Sequence, residues 1–260
     1  MLSITSVSNE KIKLYRKLSR SAKERRSAGL FVTEGVRITA DAAEGSFLRA
    51  VFVTEKCLEK YSDVFSHILA DAGGRTYIIT EEISKYLSDT NAPQGVYAIC
   101  SCPPDLSPEN TVKSGGKYIV LTDMQDPGNM GTVIRTADAC GIDGVICCDC
   151  CDIYNLKTVR SAMGSILHIN ISVSDEDSVF RALSEKNITS YAAVVSGYDR
   201  LITECSFSSG AAVFIGNEGR GLSPETSERC DIRMTVPMKG RANSLNAAAA
   251  AGIIMWELTK

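Results

Sequence analysis

Histidine is nearly absent from this sequence of 260 residues, with only His67 and His168. A histidine general base, a His-rich metal cage and a Ser-His-Asp triad therefore have little material to draw on. Long apolar runs are missing too. The longest, Leu245 to Leu258, is broken by Asn246 and Glu257, and a bilayer span needs roughly 18 or more consecutive apolar residues. The opening MLSITSVSNEKIK has no apolar core of signal-peptide length, so export is not expected and a cytoplasmic address is. No Gly-x-x-x-x-Gly-Lys-Ser/Thr run is present. Gly216, Gly219 and Gly221 follow a late strand in the order Gly-x-x-Gly-x-Gly, which is not the dinucleotide fingerprint. Nucleotide hydrolysis thereby loses its main support.

What is present suits a folded α/β chain. A hydrophobic share of 44% against 23% charged residues excludes intrinsic disorder and supplies one ample core or two modest ones. The net charge of −3 excludes a simple polycation, but it hides a gradient. Residues 1 to 30 carry eight cations (Lys11, Lys13, Arg16, Lys17, Arg20, Lys23, Arg25, Arg26) against Glu10 and Glu24, a net of +6 that leaves −9 for the rest. A basic arm precedes an acidic body. Ten cysteines without an export signal are expected to stay thiols. Cys147-Cys148-Asp149-Cys150-Cys151 contains two overlapping Cys-x-x-Cys pairs, yet a single run at a strand end would have to supply all four zinc ligands. No metal is expected, and the run reads as buried small hydrophobes.

Apolar spacing from Ser3 to Arg26, at Ile4, Val7, Ile12, Leu14, Tyr15 and Leu18, predicts an amphipathic helix with a cationic face. Short strands and helices then alternate to Cys100, giving a small α/β domain over 1–100 that includes the arm. Residues 101–116, SCPPDLSPENTVKSGG, have the composition of an exposed linker. From 117 to 260, apolar strands that do not alternate in polarity interleave with helices, which predicts a parallel sheet covered on both faces. In such sheets ligands sit beyond the carboxyl ends of strands.

Three loops occupy that position. Asp126-Pro127-Gly128-Asn129-Met130-Gly131 leads into a helix bearing Arg135, with Asn129 a natural N-cap. Gly216-Asn217-Glu218-Gly219-Arg220-Gly221-Leu222 concentrates glycine beside a carboxylate. Pro237 to Asn246 enters an Ala-rich helix, with Ser244 a natural N-cap. Taken singly, each is compatible with an ordinary turn or cap, and Arg135 with a surface ion pair.

Together, in order and content, they resemble the three motifs of the SpoU (TrmH-like) RNA ribose 2′-O-methyltransferases of the SPOUT superfamily. Asp126 to Ala137 is similar to the first motif, Val213 to Leu222 to the second, and Val236 to Ala247 to the third. Val159-Arg160-Ser161-Ala162-Met163-Gly164-Ser165 resembles the family's Arg-Ala-Ser-x-Gly segment. The likeness covers about 117–260. Residues 3–100, through Gly29-Leu30-Phe31-Val32-Thr33-Glu34-Gly35, also look like the L30e-like substrate-binding domain of longer members. Lys239-Gly240-Arg241-Ala242-Asn243 departs from the pattern by adding two cations.

The resemblance implies an α/β fold in which a carboxy-terminal parallel sheet carries a deep trefoil knot, with a smaller L30e-like α/β domain before it. It implies S-adenosylmethionine as methyl donor, no metal, an rRNA or tRNA substrate with rRNA favoured, and a homodimer through the knotted domain. By the same resemblance Gly216, Val236 and Leu245 contact the cofactor, with Val195, Ser196, Gly197, Ile215, Met238 and Ala247 as neighbours. Arg135, Asn129, Glu218, Ser244 and Asn246 form the catalytic set. Arg135 takes the 2′-proton in one reading; since free guanidinium has a pKa of about 12.5–13.8, it anchors phosphate in the other. Two alternatives stand beside this function: a non-catalytic RNA-binding protein on a knotted scaffold, and a base-methylating relative.

Overall fold

The computed structural model describes all 260 residues, which form two compact units. The first comprises Met1–Pro104 and Tyr154–Leu167; the second comprises Asp105–Ile153 and His168–Lys260.

In chain order the first unit begins with β1 (Leu2–Ile4), α1 (Glu10–Arg20), α2 (Ala22–Ala28), β2 (Leu30–Glu34), α3 (Val36–Glu44) and β3 (Leu48–Val53). It continues with α4 (Glu55–Lys60), α5 (Ser62–Ala72), β4 (Thr76–Ile79), α6 (Glu81–Leu87) and β5 (Val96–Ser101). The sheet order is β1-β4-β3-β5-β2, with β5 antiparallel to β3 and β2 and the other pairs parallel.

The single helix expected from Ser3 is three elements. Ile4 pairs with Ile79 as a strand, and Asn9 starts α1 by accepting the Lys11 N–H at 2.9 Å. Ser21 then leaves helical geometry and caps α2 through the Glu24 N–H. The spacing Ile12, Tyr15, Leu18 is the buried stripe of α1, packed in one cluster with Val32, Phe52, Tyr97 and Leu87. The Tyr15 hydroxyl donates to the Thr33 carbonyl at 3.1 Å, so burial of its polar tip is satisfied. The basic arm is therefore built into the core. Arg25 is buried and donates to the Leu18 carbonyl, which withdraws one of the eight cations from the surface.

The second unit runs α7 (Pro108–Thr111), β6 (Lys117–Thr122), α8 (Pro127–Cys140) and β7 (Gly144–Cys148). The chain then gives α9 (Leu156–Ala162) to the first unit and returns for β8 (Ile171–Val173), α10 (Glu176–Glu185) and β9 (Thr189–Ala193). β10 (Arg200–Leu201), β11 (Ala211–Ile215), α11 (Pro224–Arg229), β12 (Ile232–Thr235) and α12 (Ala247–Thr259) complete it. Its sheet, β10-β12-β9-β11-β6-β7-β8, is parallel throughout. The central strands β6, β7 and β11 are buried along almost their full length, as an apolar run covered on both faces must be.

The expected exposed linker is partly interior: Pro108 begins α7, and Thr111 and Val112 are buried. Cys147 and Cys148 are buried in β7, and burial pushes the Cys148 thiol up to about 12. The Cys150 thiol donates to the carbonyls of Leu121 and Cys148, both at 3.3 Å, so this run packs the sheet end. No helix is long and apolar enough to cross a membrane.

Leu18→Ala removes a wholly buried side chain from α1 and is expected to cost about 2–5 kcal/mol. Urea unfolding followed by far-UV circular dichroism measures it; an unshifted midpoint would show that α1 is not part of the core.

Candidate functional site

The loops after β6, β11 and β12 converge at the carboxyl edge of the second sheet. After β6 the chain turns at Asp123, a non-glycine residue at φ +53°. Asp126, not Asn129, is the N-cap of α8: its carboxylate accepts the Asn129 N–H at 2.8 Å, and Pro127 supplies the first helical residue. Asn129 thus lies inside the first turn with its side chain free for other work.

After β11, Gly216 admits a backbone approach that no other residue would allow, because a Cβ there would collide with the Gly221 backbone. Paired N–H···O bonds between Asn217 and Gly221 close the turn at 3.1 and 2.8 Å. The Asn217 side chain accepts the Gly219 and Arg220 N–H groups and donates to the Asp123 carbonyl at 2.9 Å, tying the second loop to the first.

Glu218 makes the firmer connection. Its carboxylate accepts the backbone N–H of Asp126 at 3.0 Å and of Gln125 at 3.3 Å, and the Asn129 amide at 3.3 Å. Partial burial raises its pKa, but the backbone N–H of Glu218 itself, that of Asp126, the Asn129 amide and the Gln125 N–H outweigh this, and the net shift is downward. Both oxygens are engaged by the first loop.

The third loop joins through Asn246, whose Nδ2 donates to Asn129 Oδ1 at 3.0 Å. Its Oδ1 accepts the Ala248 and Ala249 N–H groups, so Asn246, not Ser244, is the N-cap of α12. The cap falls there because the chain remains irregular through Leu245. Asn129 has its Nδ2 on Glu218 and its Oδ1 on Asn246, and neither is bonded to Arg135. Arg135 stands exposed on α8 with no ion pair or hydrogen bond.

Between these loops lies a cleft of about 350 Å³. Val195, Ile215, Gly216, Glu218, Val236, Met238, Ser244, Leu245 and Ala247 line it; Ser196, Gly197, Asn129, Arg135 and Asn246 do not. Sequence reasoning missed Ile202, Asn217, Gly221, Ala250 and Ile254 on its wall. Ala247, Ala250 and Ile254 follow helical spacing, a signal that was readable once Ala247 was placed at the site.

From Val236 to Leu245 no backbone group has a hydrogen-bond partner within the chain. Unpaired amides and carbonyls beside apolar Ile215, Val236, Met238 and Leu245 suit a flat ring with a polar edge and apolar faces, as the adenine of S-adenosylmethionine is. The residues present therefore fit that cofactor. No cluster of three or more His, Cys, Asp or Glu is arranged for a metal ion.

Residues 116–256 match the model of the SpoU rRNA Methylase family, and residues 9–98 match the MRM3-like substrate binding domain. The chain is 32% identical to the 23S rRNA (guanosine(2553)-2′-O)-methyltransferase RlmP of Bacillus subtilis, covering 99% of each protein. Among solved structures it is similar to an AdoMet-bound rRNA methyltransferase from Sinorhizobium meliloti, at TM-score 0.86 and 27% identity over 98% of this chain and 96% of that one. It is also similar to the SpoU methyltransferase AviRb from Streptomyces viridochromogenes in complex with AdoMet, at TM-score 0.86 and 27% identity over 96% and 97% of the two chains.

Because the Glu218 pKa is lowered, its bonds to the first loop are intact above the ordinary glutamate value of 4.5 and are lost as pH falls through the lowered one. NMR shifts of the Gln125 and Asp126 amides should titrate together below that value and stop titrating in Glu218→Gln. Amides unmoved by acid in the wild type would contradict the connection.

Proposed function

The chain belongs to the SpoU rRNA methylase family, and from that membership we propose that it transfers a methyl group from S-adenosylmethionine to a ribose 2′-hydroxyl, with ribosomal RNA as the favoured substrate and transfer RNA as the other. The observation that carries this reading is the meeting of three distant loops at one cleft through Glu218, Asn129 and Asn246. A purely RNA-binding scaffold would have no need of a cleft that sets unpaired backbone groups beside apolar walls.

When bound, S-adenosylmethionine supplies an electrophilic methyl group to the 2′-oxygen by in-line displacement. The chain's part is to hold and align. Gly216 and the unpaired backbone of Val236–Leu245 hold the adenosine, while Val195, Ile215, Met238, Leu245 and Ala247 pack its apolar surface. Ser196 and Gly197 continue the loop that begins at Val195. Glu218, Asn129 and Asn246 keep the three loops in register, and Ser244, on the cleft wall, orients the substrate.

Arg135, exposed and unpartnered, meets the ribose–phosphate. A guanidinium carries five donors and no acceptor, so as a cation it anchors phosphate; it takes the 2′-proton only when its surroundings strip its own.

The enzyme works as a homodimer. Arg135 does not line its own subunit's cleft. On α12, which packs against α8, Trp256 is 65% and Ile253 41% exposed, a degree of apolar exposure that a second copy would cover. The second unit is a trefoil knot in this reading; the first holds 1–104 with Tyr154–Leu167, and residues 105–116, expected as linker, belong to the second. All ten cysteines are free thiols, which accords with a cytoplasmic location.

RNA meets the first unit on its basic face. Lys13, Lys17, Arg20, Lys23 and Arg26 are exposed on α1 and α2. Replacing Lys13, Arg20, Lys23 and Arg26 with alanine should lower the salt slope of RNA binding by about 3, at roughly 0.7–0.9 per phosphate contact, with little change in stability. An unchanged slope would remove this face from the interface.

Incubation with tritiated S-adenosylmethionine and rRNA, followed by nucleoside analysis, should place the label in a 2′-O-methyl nucleoside. Label on a base would favour the base-methylating alternative, and no label the scaffold. Arg135→Ala should bind the cofactor normally and transfer nothing. In Arg135→Lys, a raised KM with kcat kept marks the anchor; a kcat that climbs with pH at unchanged KM marks the base.

A further inference from the structure

Two sequence features stand outside the methyl-transfer cleft: Gly29–Gly35 and Val159–Ser165. The first unit brings them together. The Glu34 side chain, only 5% exposed, accepts the Ser88 hydroxyl at 2.5 Å, the Thr90 hydroxyl at 3.0 Å and the Asp89 N–H at 3.2 Å, and Arg160 Nη1 lies 3.7 Å away. That Nη1 is buried without a hydrogen-bond partner. Beside the pair is a cavity of about 370 Å³, lined by the apolar Ile38, Ala92, Val159 and Met163 and by the polar Arg37 and Gln94.

The polar groups are poised unevenly. Gln94 spends its carbonyl oxygen on the Val36 N–H at 2.8 Å, while its amide NH₂ makes no bond within the chain. Arg37 is exposed and has neither an ion pair nor a hydrogen bond. The surrounding backbone is held in left-handed conformations, with φ +122° at Gly35, +61° at Met163 and +113° at Gly164. At φ +113° any side chain on Gly164 is strained, and its Cβ would also displace the Asp41 carboxylate, so glycine is favoured in the loop that presents Met163.

Apolar side chains suit the face of an unstacked base, a free amide donor suits a base carbonyl, and guanidinium groups without acceptors suit phosphate. We propose that this pocket receives one unstacked nucleotide of the RNA substrate, its uracil or guanine base against Ile38, Ala92 and Met163 with a carbonyl on Gln94, and its phosphate at Arg37, while Arg160 stays with Glu34. The proposal rests on the RNA methyltransferase reading and adds a site lined by first-unit residues alone. It fixes the strand by a nucleotide other than the one methylated.

Arg160 faces a buried carboxylate, so its removal endangers the fold; Arg37→Ala and Gln94→Glu do not, since Gln94→Glu keeps the acceptor for Val36. The full chain is titrated with fluorescein-labelled U10 and A10, and photocrosslinked to U10 bearing one 4-thiouridine. Each variant is expected to weaken U10 at least fivefold, A10 less than twofold and S-adenosylmethionine not at all, with crosslinks in residues 34–38, 90–94 or 159–164. On rRNA both variants should raise KM and keep kcat. Crosslinks elsewhere, U10 affinity within twofold of wild type, or equal losses for U10 and A10 overturn the pocket. Wild-type protein that methylates neither rRNA nor tRNA overturns the functional reading, and binding and crosslinking still decide the pocket.

Discussion

One carboxylate and one amide hold the site together. Glu218 reaches from the loop after β11 to the backbone of the loop after β6, and Asn129 carries the connection on to Asn246 at the head of α12. Each of these bonds spans about ninety or more residues of sequence, and none is part of a helix or strand ladder. They fix loop against loop after the sheet has placed the strand ends side by side. Without them the cleft would still have walls, but those walls would be free to move independently, and a pocket that reads its ligand through backbone groups depends on their relative position.

The sheet makes this economical. In a parallel arrangement every strand delivers its carboxyl end to the same edge, so three loops from β6, β11 and β12 arrive together without special folding. Two helices then start from that edge, capped by Asp126 and Asn246. Both caps serve twice: Asp126 also presents its N–H to Glu218, and Asn246 also donates to Asn129. Capping and site assembly are one structure: the residues that start α8 and α12 also tie the loops together.

Much of the second unit was legible because its buried strands are apolar without interruption and its loops hold concentrated Gly, Asn and Pro. The fold class followed from the strand pattern, and the family from the resemblance of the three loops, in order, to its motifs. The caps were not legible: Asn129 and Ser244 have the right chemistry, but Pro127 moves the start of α8 forward to Asp126, and irregular backbone through Leu245 moves that of α12 on to Asn246. The amino-terminal helix was misread from Ser3 because Ile4 fits the apolar stripe of α1 by spacing, whereas its strand pairing with Ile79 is a non-local event that periodicity does not record. The same holds for Tyr154–Leu167, which lies between second-unit elements in sequence and packs in the first. Pairwise side-chain ties such as Glu218 with Asn129 are invisible to any reading of one strand or helix at a time.

The claim that the loops act as one unit is tested most directly by a double-mutant cycle. S-adenosylmethionine binding is measured by calorimetry for wild type, Asn129→Ala, Asn246→Ala and the double variant. A coupled network predicts a non-additive loss, with an interaction energy of about 0.5–3 kcal/mol. Strictly additive losses, or affinity indifferent to Asn129, would contradict it.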